Sequence, residues 1–81
     1  AQAIRRGMER AGELAVAEGN DSEAIRLYEK ALRLVPDGGF TYIRLTELYK
    51  NSGNTLAAQR VKDRGMRAQI SDETKQALER L

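Results

Sequence analysis

The sequence predicts an all-α fold in which five helices form a right-handed stack of antiparallel pairs. Three observations predict it. Apolar residues recur at helical spacing, short turns separate the helical segments, and an internal repeat relates the two halves of the chain. Aromatic residues make up only 5% of the chain and there is a single Pro, a composition that disfavours an all-β sandwich.

Length and composition limit the class of protein. A chain of 81 residues predicts one domain, residues 1–81, near the lower end of lengths that fold alone. It contains no Cys and no His, which excludes disulfides, thiolate or imidazole metal sites, and catalysis by these side chains. The net charge is +2, and no apolar run approaches the ~18 residues of a membrane span. We expect no cofactor, no bound metal and no membrane insertion.

The chain begins with Ala1 rather than Met and carries no targeting segment, which is typical of a piece of a longer protein, so its compartment is left open.

The first two helices follow from apolar periodicity and from the turns that bound them. The first is expected to stop at Gly19, and Asp21 or Ser22 is expected to cap the second. The second ends before Pro36, because the residue before a Pro is pushed out of the helical conformation. The inner face of the first helix consists of Ile4, Met8, Ala11 and Ala15. The inner face of the second consists of Ala24, Leu27, Tyr28, Ala31 and Leu34.

The last three helices are predicted in the same way. Turn residues at 36–39 precede the third helix, those at 51–54 precede a fourth that begins near Thr55, and Ser71 is expected to cap the fifth. The inner face of the third helix consists of Thr41, Tyr42, Leu45, Leu48 and Tyr49. The corresponding faces of the fourth and fifth consist of Ala58, Val61, Gly65 and Ala68, and of Ala77, Leu78 and Leu81.

An internal repeat of 34 residues relates the two halves of the chain. Gly19-Asn20 returns as Gly53-Asn54, and a period between about 20 and 50 residues indicates stacked supersecondary units. The repeats are residues 5–38 and 39–72, and residues 72–81 form a final capping helix. The other pairs that are identical at this offset are Arg10 and Arg44, Glu13 and Glu47, Leu14 and Leu48, Ala24 and Ala58, Arg26 and Arg60, and Arg33 and Arg67.

Small, aromatic and turn residues recur at defined positions of these repeats. In the first repeat they are Gly12, Ala24, Tyr28, Ala31 and Pro36, and in the second they are Tyr42, Leu45, Tyr49 and Ala58. With its 34-residue period, this pattern resembles the tetratricopeptide repeat (TPR), an α-solenoid family. The resemblance implies that Gly12 lets the first helix of a pair approach the second, and that the fifth helix is a solvating cap. The chain departs from the family pattern at Ala11, Ala15, Thr46, Lys62 and Ile70.

The resemblance also implies a function, namely the binding of a peptide or partner helix in a concave groove lined by the first helix of each pair. The groove positions are Arg6, Glu9, Glu13 and Val16, then Phe40, Ile43, Glu47 and Lys50, with Thr74 and Ala77 from the cap. Some members of that family grip the acidic C-terminus of a chaperone with Lys, Arg and Asn side chains. Here Glu9 and Glu13 occupy the places where Lys and Asn would be needed, and they would repel a carboxylate. We therefore expect an adaptor or scaffold whose partner has basic and apolar side chains.

Other interpretations remain open. The groove carboxylates can be ordinary solvated helix positions, and Phe40 can pack against the turn that precedes it. The chain can also be a structural segment of a longer repeat protein, or a unit that forms a homo-oligomer through its exposed terminal helices, since two repeats are few for an independent solenoid. Nucleic-acid binding is not expected, because no aromatic residue interleaves with the basic residues of the fourth helix. Enzymatic activity is not expected either, because every Ser lies at a helix boundary and no base could activate it. The basic residues of the fourth helix are Arg60, Lys62, Arg64 and Arg67, and the three serines are Ser22, Ser52 and Ser71.

Overall fold

Five helices account for most of residues 2–81, which are the residues described by the computed structural model. Ala1, the first residue of the predicted domain 1–81, lies outside the described residues, as does the side chain of Gln2. No strand occurs in the described part of the chain, so the predictions of an all-α fold and of five helices are confirmed there. The helices are α1 (Gln2–Ala17), α2 (Asp21–Leu34), α3 (Gly39–Asn51), α4 (Thr55–Arg67) and α5 (Asp72–Glu79).

The repeated Gly-Asn pair ends one helix and begins the next. Gly19 and Gly53 have φ of 77° and 82°, a left-handed backbone conformation that glycine adopts without steric cost. The side chains of Asn20 and Asn54 then cap α2 and α4, each accepting a hydrogen bond from the backbone N–H three residues on, at 3.3 and 3.2 Å. A single dipeptide thus determines both helix junctions.

The expected cap of α2 at Asp21 or Ser22 is wrong, because Asn20 already occupies the capping position. Asp21 is the first residue of the helix, where its charge suits the positive end of the helix dipole. The Ser22 hydroxyl donates to Asn20 Oδ1 at 3.3 Å and supports the cap instead of forming it. The expected cap of α5 is confirmed, since Ser71 Oγ accepts a hydrogen bond from the Thr74 N–H at 3.2 Å.

The core is organised around α3, which contacts α2, α4 and α5, while α1 packs against α2 and α5 also contacts α4. Leu45 of α3 is fully buried at its centre. The buried cluster draws residues from all five helices and consists of Ala15, Ala24, Tyr28, Leu32, Tyr42, Leu45, Leu48, Val61 and Leu78. Burial of this apolar surface is the main force that holds the helices together.

Glycines lie at two close approaches between helices. A Cβ placed on Gly12 would lie only 2.8 Å from Cζ of the Tyr28 ring, so α1 and α2 approach closely here because Gly12 has no side chain. The expected role of Gly12 is therefore confirmed. A Cβ on Gly65 of α4 would lie 3.1 Å from the Tyr42 ring of α3 and nearer still to the Leu78 side chain of α5. Because Gly65 has no side chain, α4 can pack closely against both helices.

Two residues that were expected to face the core are exposed. Leu34 is 48% exposed, because at about 100° per residue it points about 100° away from the mean direction of the buried residues of α2. These buried residues are Ala24, Tyr28, Ala31 and Leu32. Leu32 and Val35 are buried in its place. Ile4 is 54% exposed, and it is the Arg5 side chain that lies against the turn at Gly38.

Candidate functional site

An open pocket of ≈ 570 Å³ lies where the C-terminal half of α1 faces α3. Its walls combine aliphatic side chains with both signs of charge, and it draws on α1, α2, α3 and the end of the chain. The lining residues are Glu13, Val16 and Ala17, then Tyr28, then Arg44, Glu47, Leu48, Lys50 and Asn51, and finally Leu81. Four residues expected in the groove, Glu13, Val16, Glu47 and Lys50, thus line one pocket.

Glu13 and Glu47 are equivalent positions of the 34-residue repeat, and both line the pocket. Glu47 lies 3.6 Å from the Arg44 guanidinium, and both side chains are more than two-fifths exposed. An exposed pair at this spacing contributes only about 0.2–0.5 kcal/mol, so it can be exchanged for a better partner at little cost. Glu13 is exposed as well. The carboxylates are therefore accessible to a cation.

The remaining groove candidates lie outside the pocket lining. Glu9 is held by the Thr41 hydroxyl, which donates to its carboxylate at 2.5 Å, so this side chain links α1 to α3. Ile43 packs against the core, and Arg6 is exposed on α1. The half-exposed Phe40 ring lies under the Arg44 guanidinium, whose carbon is 4.9 Å from the ring centroid.

Tyr28 forms a buried part of the pocket wall. The edge of its ring that carries the hydroxyl packs against Gly12, beside Glu13. Burial raises the pKa of the Tyr28 phenol above its usual value, and the charge of Glu13 raises it further. Glu9 and Glu47 act on this pKa in the same direction, while Arg44 opposes them. Three carboxylates therefore act on this hydroxyl, and one guanidinium opposes them.

One end of the pocket is bounded by the C-terminal segment. The Lys50 ammonium donates a hydrogen bond to the Leu81 carbonyl oxygen, which brings the residues after α5 against α3. Sequence reasoning placed Lys50 in the groove but missed Leu81, Arg44 and the pocket role of Tyr28. Periodicity assigns a residue to a face of its own helix, and it carries no signal for which distant segment covers that face.

Two basic residues of α4 have partners within the chain. Arg64 Nη1 lies 3.1 Å from Glu29 Oε1, and the Tyr49 hydroxyl donates to the other oxygen of Glu29 at 2.9 Å. Lys62 Nζ donates to the Glu79 carbonyl at 3.0 Å. These contacts connect α4 to α2, α3 and α5, so these side chains already contribute to the packing of the helices.

Tyr49→Phe is expected to weaken the loss of stability at alkaline pH. Burial, together with the hydrogen bond to Glu29, raises the pKa of Tyr49 from 10.0 to about 12. The folded protein therefore holds this proton more tightly than the unfolded chain, so the stabilisation is complete below pH 10.0 and is lost as pH rises to about 12. Urea midpoints measured from pH 8 to 12 should fall less steeply for Tyr49→Phe than for the native chain. Parallel curves would contradict the assignment.

Comparison with models of protein families, with curated proteins and with solved structures gives no significant match to this chain. Among residues 2–81 there is no group of acidic, His or Cys side chains arranged to hold a metal ion. No helix in that part of the chain is both long and apolar enough to cross a membrane.

Proposed function

We propose that this chain is a protein-interaction module of the TPR type, which binds a peptide or partner helix with basic and apolar side chains. Residues 5–38 and 39–72 are then two helix-pair repeats in a right-handed stack, and residues 72–81 are the cap. The observation that carries the proposal is the pocket between α1 and α3, where Glu13 and Glu47 lie at equivalent repeat positions beside an aliphatic wall.

The polarity of the pocket favours a cationic partner over an anionic one. Its two carboxylates are at least partly exposed, and one of its two cations, Lys50, already donates to a backbone carbonyl. Val16, Ala17 and Leu48 supply an apolar surface against which the aliphatic stem of a basic side chain can pack. Complementary charge contributes mainly specificity and association rate, and apolar contact contributes affinity.

The test is a peptide-display selection against the native chain, followed by affinity measurement on two variants. Glu13→Arg with Glu47→Arg reverses the charge of the pocket, and we expect it to weaken the selected peptides at least about tenfold through like-charge repulsion. Glu18→Arg with Glu73→Arg makes the same change in net charge at exposed residues outside the pocket and should leave affinity nearly unchanged. No enrichment, or equal weakening by both variants, would contradict the proposal.

The second candidate is a structural or self-associating segment, and large apolar side chains on the surface favour it. Leu14, Leu34 and Leu56 are each about half exposed or more. Such residues are common singly on surfaces, so they support self-association only if the mass in solution rises with concentration. Sedimentation equilibrium across a hundredfold concentration range distinguishes the two candidates, because a monomer at all concentrations excludes self-association.

A further inference from the structure

The Tyr28 hydroxyl differs from those of the other two tyrosines. The Tyr42 hydroxyl donates to the Pro36 carbonyl at 2.6 Å, and that of Tyr49 donates to Glu29. Tyr28 is the most buried of the three, at 1% exposure, yet no hydrogen bond between described residues involves its hydroxyl. The small exposed part of Tyr28 includes its hydroxyl oxygen, which is not sealed in the core. Tyr28 lines the open pocket between α1 and α3, through which its hydroxyl can be reached.

Packing alone accounts for the ring of Tyr28 but not for its hydroxyl. The contact with Gly12 is made by ring carbons, and a phenylalanine ring would supply most of the same apolar contact. The hydroxyl keeps access to the open pocket, so it can bond to water there or to a group of a partner that displaces this water. No group of the described residues uses this hydroxyl, so it is available to a ligand that enters the pocket.

The groups around this hydroxyl suit a cation. Glu13 of α1 and Glu47 of α3 line the same pocket as Tyr28 of α2. Glu9 also acts on the hydroxyl, but its carboxylate already accepts from Thr41. The opposing charge is Arg44, which pairs with Glu47. Two carboxylates and a phenol oxygen from three different helices therefore offer acceptors to one incoming group.

We propose that this pocket binds one lysine side chain of the partner, with its ammonium bound by Tyr28, Glu13 and Glu47 and its stem against Val16 and Leu48. The inference rests on the proposed function and specifies the residue that is recognised. An ammonium is a compact charge with three donors, which matches three separate acceptors. An arginine prefers a flat two-oxygen contact with one carboxylate, and Arg44 already supplies a guanidinium to Glu47.

The test is a double-mutant cycle with a selected peptide that contains lysine. Tyr28→Phe should weaken this peptide about tenfold, since a hydrogen bond to a charged group is lost. Replacing the lysine with norleucine should weaken binding to the native chain, after which Tyr28→Phe should have almost no additional effect. Tyr49→Phe removes a hydroxyl outside the pocket and serves as the matched control.

A second measurement does not depend on the selection. Nα-acetyl-lysine methylamide is titrated into the native chain, and the Tyr28 ring signals are followed by NMR, assigned by their absence in Tyr28→Phe. The lysine compound should shift them, and the norleucine analogue should not. Equal shifts with both compounds, additive effects in the cycle, or equal affinity after lysine is replaced by arginine would overturn the lysine site. Peptide binding that remains sensitive to Glu13→Arg with Glu47→Arg would leave the proposed function standing, whereas failure of all peptides to bind would remove both.

Discussion

Leu45→Ala is expected to lower the free energy of unfolding by about 3 kcal/mol. Leu45 is 0% exposed and lies on α3, the helix that contacts three others, so the cavity left by the missing atoms has walls from several helices. Such a cavity relaxes only partly, and the lost packing adds to the lost hydrophobic transfer energy. For a domain of this size, the change corresponds to a melting temperature about 12–24 °C lower.

The matched control for Leu45→Ala is Leu56→Ala. Leu56 is 61% exposed on α4, so the same change in chemistry should shift stability by less than about 0.5 kcal/mol. Urea unfolding of both variants at pH 7, followed by far-UV circular dichroism, measures the difference. If the two variants were destabilised equally, α3 would not be the centre of the core.

Gly12→Val is expected to destabilise the fold by about 2–3 kcal/mol and to weaken peptide binding as well. The first carbon of the new side chain would lie 2.8 Å from Tyr28 Cζ, so either the ring or α1 must move. Overpacking of this kind outweighs the small gain in helix propensity over glycine. Because the same ring lines the pocket, a displaced Tyr28 also changes the shape of the proposed lysine site.

Gly7→Val on the same helix separates the effect of the contact with Tyr28 from the effect of helix propensity. A Cβ at Gly7 meets nothing within 4 Å, so this variant should be neutral or slightly stabilising and should bind peptides normally. Thermal unfolding and peptide affinity are measured for both variants. Similar destabilisation by Gly7→Val would show that glycine is needed for backbone reasons in α1 and not for the approach to Tyr28.

The helices and their junctions could be predicted because their signals are local. The left-handed conformation at Gly19 and Gly53 and the stop before Pro36 depend on residues a few positions apart. The cap was misplaced by one residue, since Asn20, Asp21 and Ser22 are all competent caps. Which of these three residues caps α2 depends on where α1 ends.

The pocket could be predicted only in part. Glu13, Val16, Glu47 and Lys50 were found because the resemblance to the TPR family implies a groove lined by the first helix of each pair. Glu9 belongs to the same face of α1, but its burial against Thr41 depends on how closely α1 approaches α3. Likewise, Leu34 was misassigned because its neighbours Leu32 and Val35 compete for the buried face, and all three are apolar.

The sequence by itself determined the all-α class, the number of helices and their approximate ends, because periodicity, capping and glycine conformation act within a few residues. The close approach at Gly12 was expected from the resemblance of the repeat pattern to the TPR family. Only the tertiary structure decided that Tyr28 joins two carboxylates in one pocket, that Leu81 bounds it, and that Arg64 is paired with Glu29. These contacts join residues far apart in the chain. Their geometry depends on interhelical distances and angles, which the packing of the whole core sets.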